Sequence, residues 1–486
     1  MSRPSASPHY TGDLSRSWLI VPLLILYIFD LGGVGFLGPD EPRYASIGRE
    51  MARSHDFITP RLDGKTWFEK PPLLYWMTAL GQALRLPAVR SMDEWSARLP
   101  VALASIAFLI FFFRTIEREF SERVAIASTT ILATSTGWVA YSFVAVTDLP
   151  MTVTFAAALL IAIFDTPRER GYLAGALLGA SILAKGLVPA VFFAPAFLMA
   201  RGKRWTLLAG CIAVAAPWYL VCGLRYGRPF WQELIWKQHF ERYFTPSLQH
   251  VQPFWYYVPI LLAAVFPWTP LAALLALRKT YDDVRIRFLA VWLIYALVFL
   301  SASRNKLPGY VLPMLPALAI LLAAGLEKTG RYFQWWLSAT ALMLIALPAI
   351  AAALPSALLS GIRKAPFVLP VALPFFVVAV TAAGVIWWLA WREMTSVAVL
   401  TTGLAVGLGV LYLKAKIFPI LEDRVSVRAF WRAHPAETRD ACLDPSVRRE
   451  WQYGLNYYAP HPLADCANID ARPRITVNAD RLSVGR

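Results

Sequence analysis

Two short strings concentrate ionisable side chains where the surrounding chain is greasy. The first, GPDEPRYASIGREM (Gly38–Met51), carries Asp40, Glu41, Arg43, Arg49 and Glu50 directly after an apolar run. The second, WFEKPPLLYWM (Trp67–Met77), carries Glu69 and Lys70 directly before Pro71 and Pro72. Proline suits the first position of a helix, because its missing N–H has no partner there anyway. Pro42 is therefore expected to open a helix with Tyr44, Ile47, Gly48 and Met51 on one face and Arg43, Arg49, Glu50 and Arg53 off it. Such a helix is amphipathic and suited to lie in a membrane interface. Asp40 and Glu41 then sit at its N-terminus, where the helix dipole favours negative charge. They read either as capping groups or as carboxylates fixed at the mouth of a cavity. Pro71 or Pro72 opens a second short helix, and Lys70 beside that N-terminus is suited to a phosphate. Glu69 would repel the same phosphate unless a cation lay between them. The pair is thus either a local salt bridge or a carboxylate holding a metal that the phosphate of Lys70 also touches.

The rest of the chain must position these strings. It has 486 residues, 57% hydrophobic and 16% charged, where a soluble domain would carry about 25% charge. Apolar runs of roughly 17–25 residues recur, the length that crosses a bilayer as a helix. The fold class is all-α and polytopic, with about 13 spans near 18–37, 97–113, 124–142, 149–164, 172–184, 187–200, 205–224, 254–277, 288–303, 309–326, 333–354, 366–391 and 396–413. The net charge of +16 is attributed to membrane-flanking Lys and Arg, not to nucleic-acid binding. With the N-terminus in the cytoplasm, the short basic loops Arg114–Arg123, Asp165–Gly171, Arg201–Arg204, Arg278–Arg287 and Glu327–Arg331 all fall inside, as the positive-inside rule requires.

Alternation of sides then gathers a different set on the outer face. It comprises the loop 38–96, Asp148 in VAVTDLPM, Lys185, the loop 225–253, Lys306 and Tyr310 in SRNKLPGY, and the tail from 418. The expected organisation is a transmembrane catalytic domain over 1–417 and a short outer domain over 418–486. Cys442 and Cys466 lie in that tail and could pair if it is extracytoplasmic. The aromatic strings PFWYYV, FPWTP and Trp335-Trp336 read as interface belts.

The combination GPDEPRYA, WFEKPPLLYW, TDLP, LAKG, HxxPFWYY and KLPxY resembles the bacterial lipid A aminoarabinose transferases, a group of GT-C glycosyltransferases related to the protein O-mannosyltransferases. The resemblance covers about residues 18–420. It implies a GT-C transmembrane fold with an amphipathic first periplasmic loop, in the bacterial inner membrane. The implied activity moves a sugar, 4-amino-4-deoxy-L-arabinose, from an undecaprenyl-phosphate donor to lipid A or another envelope acceptor at the periplasmic face. On the matching positions Asp40 falls at the catalytic carboxylate, with Glu41 and Asp148 beside it. Glu69 falls at a metal-binding carboxylate, with His250 a better match than His239 for the histidine that shares a divalent ion such as zinc. Lys70 falls at the lipid-phosphate ligand, and Arg43, Tyr44, Lys185, Lys306 and Tyr310 at cavity positions. The departure is at the end: only a shortened α/β segment follows the last span, where the family carries a longer periplasmic domain.

The residues permit the implied chemistry. Breaking a sugar–phosphate bond leaves a phosphate with extra negative charge, which Lys70, Arg43, a helix N-terminus and a metal on Glu69 and His250 would stabilise. Asp40 is a general base if the acceptor is a hydroxyl. If the acceptor is an already ionised phosphate, Asp40 instead orients the acceptor or pairs with the amino group of the sugar. The alternatives are a GT-C transferase acting on a protein or another glycan, and a transporter of lipid-linked sugar. The oligosaccharyltransferase string Trp-Trp-Asp-Tyr-Gly is absent. Transporters place ionisable residues near the bilayer midplane, whereas here the charges gather at one interface.

Overall fold

In the computed structural model the described residues are 20–83, 93–164, 167, 169–200, 202–245, 251–360, 373–468, 473–478 and 481–485. Helices dominate. From the N-terminus they run α1 (Ile20–Ile28), α2 (Asp40–Ser54), α3 (Leu73–Ala83), α4 (Asp93–Glu119), α5 (Glu122–Thr134), α6 (Thr136–Ser142), α7 (Asp148–Phe164), α8 (Arg170–Lys185), α9 (Val188–Met199) and α10 (Arg204–Tyr226). Longer helices follow at Val284–Ala302, Leu373–Trp391 and Thr395–Arg424. The chain is a multi-pass membrane protein. Among the described residues seven helices are long and apolar enough to cross a bilayer, and the pair Phe254–Ala264 and Thr269–Ala276, bent by 118°, makes an eighth if it is one span.

Every expected span contains helix, but the expected length is often divided. The run 124–142 is cut at Ser135, whose extended backbone separates α5 from α6. The run 18–37 gives only the short α1, followed by turns. Lys185-Gly186 separates α8 from α9: Gly186 has φ +81°, a left-handed conformation that favours glycine. The strings expected to form aromatic belts differ in burial. Phe254, Trp255 and Trp335 are exposed. Trp268 of FPWTP is not: it is 0% exposed, and its indole N–H donates to Thr134 Oγ1 at 2.8 Å. This corrects the reading of that string as a belt, because a buried indole needs an acceptor and α5 supplies one.

The first outer loop folds as its pattern dictates. α2 buries Tyr44, Ile47, Gly48 and Met51, the face expected from helical spacing. It begins at Asp40, two residues before Pro42, so the proline lies in the first turn, where a missing N–H is still harmless. Arg43, expected off the apolar face, is also buried. A hairpin, β1 (Arg61–Leu62) and β2 (Lys65–Thr66), follows. Its turn residues Asp63 and Gly64 both have positive φ, 53° and 76°, as a two-residue hairpin turn requires. α3 begins just after Pro71 and Pro72 and packs on α2.

One ion pair organises this end of the molecule. Glu41 and Arg98, on α2 and α4, are both 0% exposed. Arg98 Nε and Nη2 donate to the two oxygens of Glu41 at 2.7 and 2.8 Å. Its remaining N–H groups reach the carbonyls of Leu31, Val34 and Gly35 at 2.9, 2.7 and 3.0 Å. Glu41 also accepts from the backbone N–H groups of Leu37 and Ala145, each at 2.8 Å. All five guanidinium donors and both carboxylate oxygens are used.

Beyond the last long helix the chain forms a small α/β unit. Its four-stranded sheet has β3 (Cys442–Leu443), β4 (Ala464–Asp465), β5 (Arg474–Asn478) and β6 (Arg481–Gly485) in the order β4-β3-β5-β6. β3 pairs parallel with β4 and β5, and β5 antiparallel with β6. Cys442 and Cys466 are joined in a disulfide. The helix Arg449–Tyr458 packs against α2.

Removing one member of a buried, hydrogen-bonded ion pair costs about 3–5 kcal/mol, because its partner is left charged and dry. Arg98→Ala is therefore expected to lower the thermal midpoint in detergent by many degrees. Arg481→Ala removes a pair with Asp423 whose side chains are 69% and 66% exposed, and should barely move it. Equal midpoints for the two variants would refute the organising role of Glu41–Arg98.

Candidate active site

The outer-face residues expected from the sequence come from five separate places in the chain. α7 starts at Asp148 and α8 ends at Lys185. The two helices pack against each other, and their neighbouring ends bring these side chains together. Lys185 Nζ contacts Asp148 Oδ1 and lies 4.7 Å from the ring centroid of Tyr310. Gly309 makes this possible: a Cβ there would stand 2.4 Å from the Tyr141 hydroxyl and 2.6 Å from Asp148 Oδ1.

The second half of the site comes from α2 and the turn before α3. Arg43 bridges two carboxylates. Its Nη2 contacts Asp40, and its Nη1 lies 2.7 Å from Glu69 Oε2. Lys70 Nζ is 3.7 Å from Glu69 Oε1. The Arg43 guanidinium lies 5.3 Å from the centroid of Tyr44, 5.4 Å from that of Trp67 and 5.3 Å from that of Tyr453. Tyr44 is buried against Tyr75. Asp40 differs from its neighbours: its carboxylate is 47% exposed, open to a reacting partner.

Electrostatics joins the halves. Lys70 feels Glu69, Arg242, Lys185 and Asp40. Burial, reinforced by Arg242 and Lys185 and opposed by Glu69 and Asp40, brings its pKa down to about 8. Burial alone would push Glu69 up, but Lys70, Arg43, Arg242 and Arg449 outweigh it and hold this carboxylate below its usual range. The cluster thus sets the cations Arg43, Lys70, Lys185 and Arg242 against the carboxylates Asp40, Glu69 and Asp148. Two of its buried donors, Nε of Arg43 and Nε of Arg242, have no acceptor among the described residues. Buried donors are almost always paired, so two orphan guanidinium nitrogens beside a lysine describe a site built for an anion.

Arg242 joins the cluster without having been expected from the sequence. It follows a ten-residue π-helix, Gln232–Glu241, and π segments recur at functional sites. It interacts with Tyr310 and Glu69. The string SRNKLPGY holds its loop in place. Asn305 Nδ2 donates to the carbonyls of Arg242 and Thr245, both at 2.6 Å. Lys306 Nζ donates to Gln252 O at 3.2 Å and to Ser303 O.

Two of the expected site residues are thereby reassigned. Lys306 is buried and directed at main-chain carbonyls, so it braces the loop; the signal was its company, since Asn305 beside it makes the same kind of contact. Glu41 is fully buried with both oxygens committed to Arg98 and backbone N–H groups. It is a structural ion, while adjacent Asp40 faces the cluster.

His239 is also spent structurally. The Leu187 N–H donates to its Nε2 at 2.8 Å, so the proton sits on Nδ1, which donates to Leu234 O at 2.8 Å. Burial, with Lys70 and Arg242 nearby, takes its pKa down to about 4. A Cβ on Gly186 would stand 2.1 Å from that Nε2. His250 lies outside the described residues. Among the described residues no three His, Cys, Asp or Glu side chains are grouped to hold a metal ion, and Glu69 faces Arg43 and Lys70 instead. No step is assigned to a metal.

Residues 69–222 match the family described as dolichyl-phosphate-mannose-protein mannosyltransferase. The chain is similar to the undecaprenyl phosphate-alpha-4-amino-4-deoxy-L-arabinose arabinosyl transferases of Serratia proteamaculans, at 33% identity, and of Pseudomonas aeruginosa, at 32%. Each alignment spans 65% of this chain and 60% of the relative's length. The crystal structure of ArnT from Cupriavidus metallidurans bound to undecaprenyl phosphate superposes with a TM-score of 0.74 at 24% identity, covering 92% of this chain and 86% of that one. Its apo form gives 0.71. The chain therefore has the transmembrane fold of that transferase, the GT-C architecture expected from its motifs.

Lys70 can hold an anion electrostatically only while protonated. Affinity for an anion at this site should therefore fall as pH rises through about 8, and Lys70→Arg should move that fall well upward, because a guanidinium stays charged. Titration of undecaprenyl-phosphate binding between pH 6 and pH 10 checks this; an unaltered profile in the variant would assign the fall to another group.

Proposed function

We propose that this chain is a glycosyltransferase of the inner membrane. It takes 4-amino-4-deoxy-L-arabinose from undecaprenyl phosphate and places it on a phosphate of lipid A at the periplasmic face. The observation that carries the reading is the anion site at one end of the helical bundle, where Lys70, Arg43 and Arg242 converge with unfilled donors. The similarity to arabinosyl transferases named for this donor supports the sugar and the lipid carrier. A transporter would need ionisable groups near the bilayer midplane; these belong to helix ends and loops.

In the proposed reaction an ionised oxygen of the acceptor phosphate forms a bond to the anomeric carbon. The bond from that carbon to the donor phosphate oxygen breaks, and its electron pair leaves on the undecaprenyl phosphate. The charge that develops there faces Lys70 and the two guanidinium groups, each a stabiliser of the type whose loss costs about 10²–10³ in rate. Glu69 keeps this cationic nest from being over-charged between turnovers. Asp40 has no proton to remove from an ionised phosphate. Its exposed carboxylate instead pairs with the ammonium of the aminosugar and orients it. Asp148 holds Lys185 against Tyr310.

Mass spectrometry of lipid A from cells with and without the gene tests the reading, with an aminopentose adduct expected only when the gene is present. Asp40→Asn should slow transfer of the aminosugar more than transfer of the same sugar without its amino group, and equal losses would sink the pairing of Asp40 with the ammonium. Transfer that persists on dephosphorylated lipid A would sink the lipid A phosphate assignment.

A further inference from the structure

The helix Arg449–Tyr458 belongs to the small C-terminal unit, yet one of its faces reaches the site. Arg449, Tyr453 and Tyr457 follow each other at four-residue spacing and share that face. Tyr457 anchors it: Arg49 Nη1 donates to its carbonyl at 2.8 Å, and the Arg49 guanidinium lies 4.0 Å from its ring centroid. Tyr453 lies one turn nearer the cluster, its ring 5.3 Å from the Arg43 guanidinium. The Tyr453 hydroxyl accepts from Nε and Nη2 of Arg449 at 3.3 and 3.1 Å. Arg449 is exposed, but its charge is felt by Glu69. The whole unit is tied down, since Arg428 at its start pairs with Glu94 and Glu422 at 3.1 and 2.7 Å.

The site thus has cations at two depths. Arg43 is buried and Lys70 nearly so at the floor, and exposed Arg449 is held at the rim by the Tyr453 hydroxyl. A sugar transfer between two phosphates must bring two anions close together, and like charges repel strongly where water is scarce. A second, separate cation on the solvent side answers that repulsion, and a guanidinium can grip a phosphate with two parallel N–H groups. Resting on the transferase reading above, we propose that Arg449, oriented by Tyr453, binds the phosphate of the acceptor, a phosphate monoester carried on a large amphiphile. The C-terminal unit is then the element that selects the acceptor.

The full chain in proteoliposomes tests this, with undecaprenyl-phosphate-linked aminoarabinose as donor and phosphorylated or dephosphorylated lipid A as acceptor. Arg449→Ala should raise the KM for phosphorylated lipid A by roughly ten- to a hundredfold, the range for losing a hydrogen bond to a charged group. The donor KM should stay unchanged, Arg449→Lys should recover part of the loss, and Tyr453→Phe should fall between. An unchanged acceptor KM, or a rise in donor KM instead, overturns the proposal. Equilibrium binding of the two lipid A forms without donor gives an independent arm. The wild type should prefer the phosphorylated form and Arg449→Ala should lose the preference; a preference that survives in the variant overturns the proposal. If the wild type transfers no sugar at all, it is the transferase reading that fails, and this binding arm still decides the role of Arg449.

Discussion

The buried pair of Glu41 and Arg98 is the constraint on which the outer end of the molecule depends. Taking two ions out of water costs several kcal/mol each, and their attraction offsets this only if every remaining donor and acceptor is satisfied. Here the satisfaction is complete, and the partners that complete it are main-chain groups of Leu31, Val34, Gly35, Leu37 and Ala145. The pair therefore fixes the path between α1 and α2, the start of α2, the position of α4 and the loop before α7. Adjacent carboxylates meet opposite fates as a result. Glu41 turns inward and is consumed, and Asp40 is left at the surface of the cluster within reach of Arg43.

The cluster itself is poised by competition between burial and charge. Burial disfavours both Lys70 and Glu69 as ions, yet each makes the other's charge more favourable. The pKa of the lysine is brought down to about 8, still a cation at neutral pH, and the glutamate is held below its usual range. Surrounding elements hold this balance without touching it. His239 joins the π-helix to the turn after Lys185, and Asn305 and Lys306 brace the loop that carries Arg242. Each polar group in this second ring spends its hydrogen bonds on backbone, which fixes position and leaves the inner donors oriented for an anion.

The C-terminal unit is an integral wall of this end of the fold. Arg428 donates to the carbonyls of Gly32 and Gly33 at 2.9 and 3.1 Å, so the loop stabilised by Arg98 on one side is stabilised by the last part of the chain on the other. Glu422 accepts from the Gly35 N–H at 2.7 Å. The chain's two ends are thereby linked around the same few glycines, and the aromatic face of the terminal helix closes over Arg43.

The sequence by itself determined the elements and the chemical character of the site. Apolar runs marked the helices, because a bilayer demands length and hydropathy in one stretch. The spacing of Tyr44, Ile47, Gly48 and Met51 marked the buried face of α2, and alternation of loops gathered Asp40, Glu69, Lys70, Asp148, Lys185 and Tyr310 on one side. These are local or periodic properties, legible without coordinates. What only the tertiary structure decided was which charges serve the site and which serve the fold. Glu41 and Asp40, or Lys306 and Lys185, are indistinguishable by type and side. Their roles follow from partners distant in sequence, such as Arg98 for Glu41 and the carbonyl of Gln252 for Lys306. Arg242 was invisible for the same reason: no spacing rule relates it to Glu69, and only packing brings its charge to it.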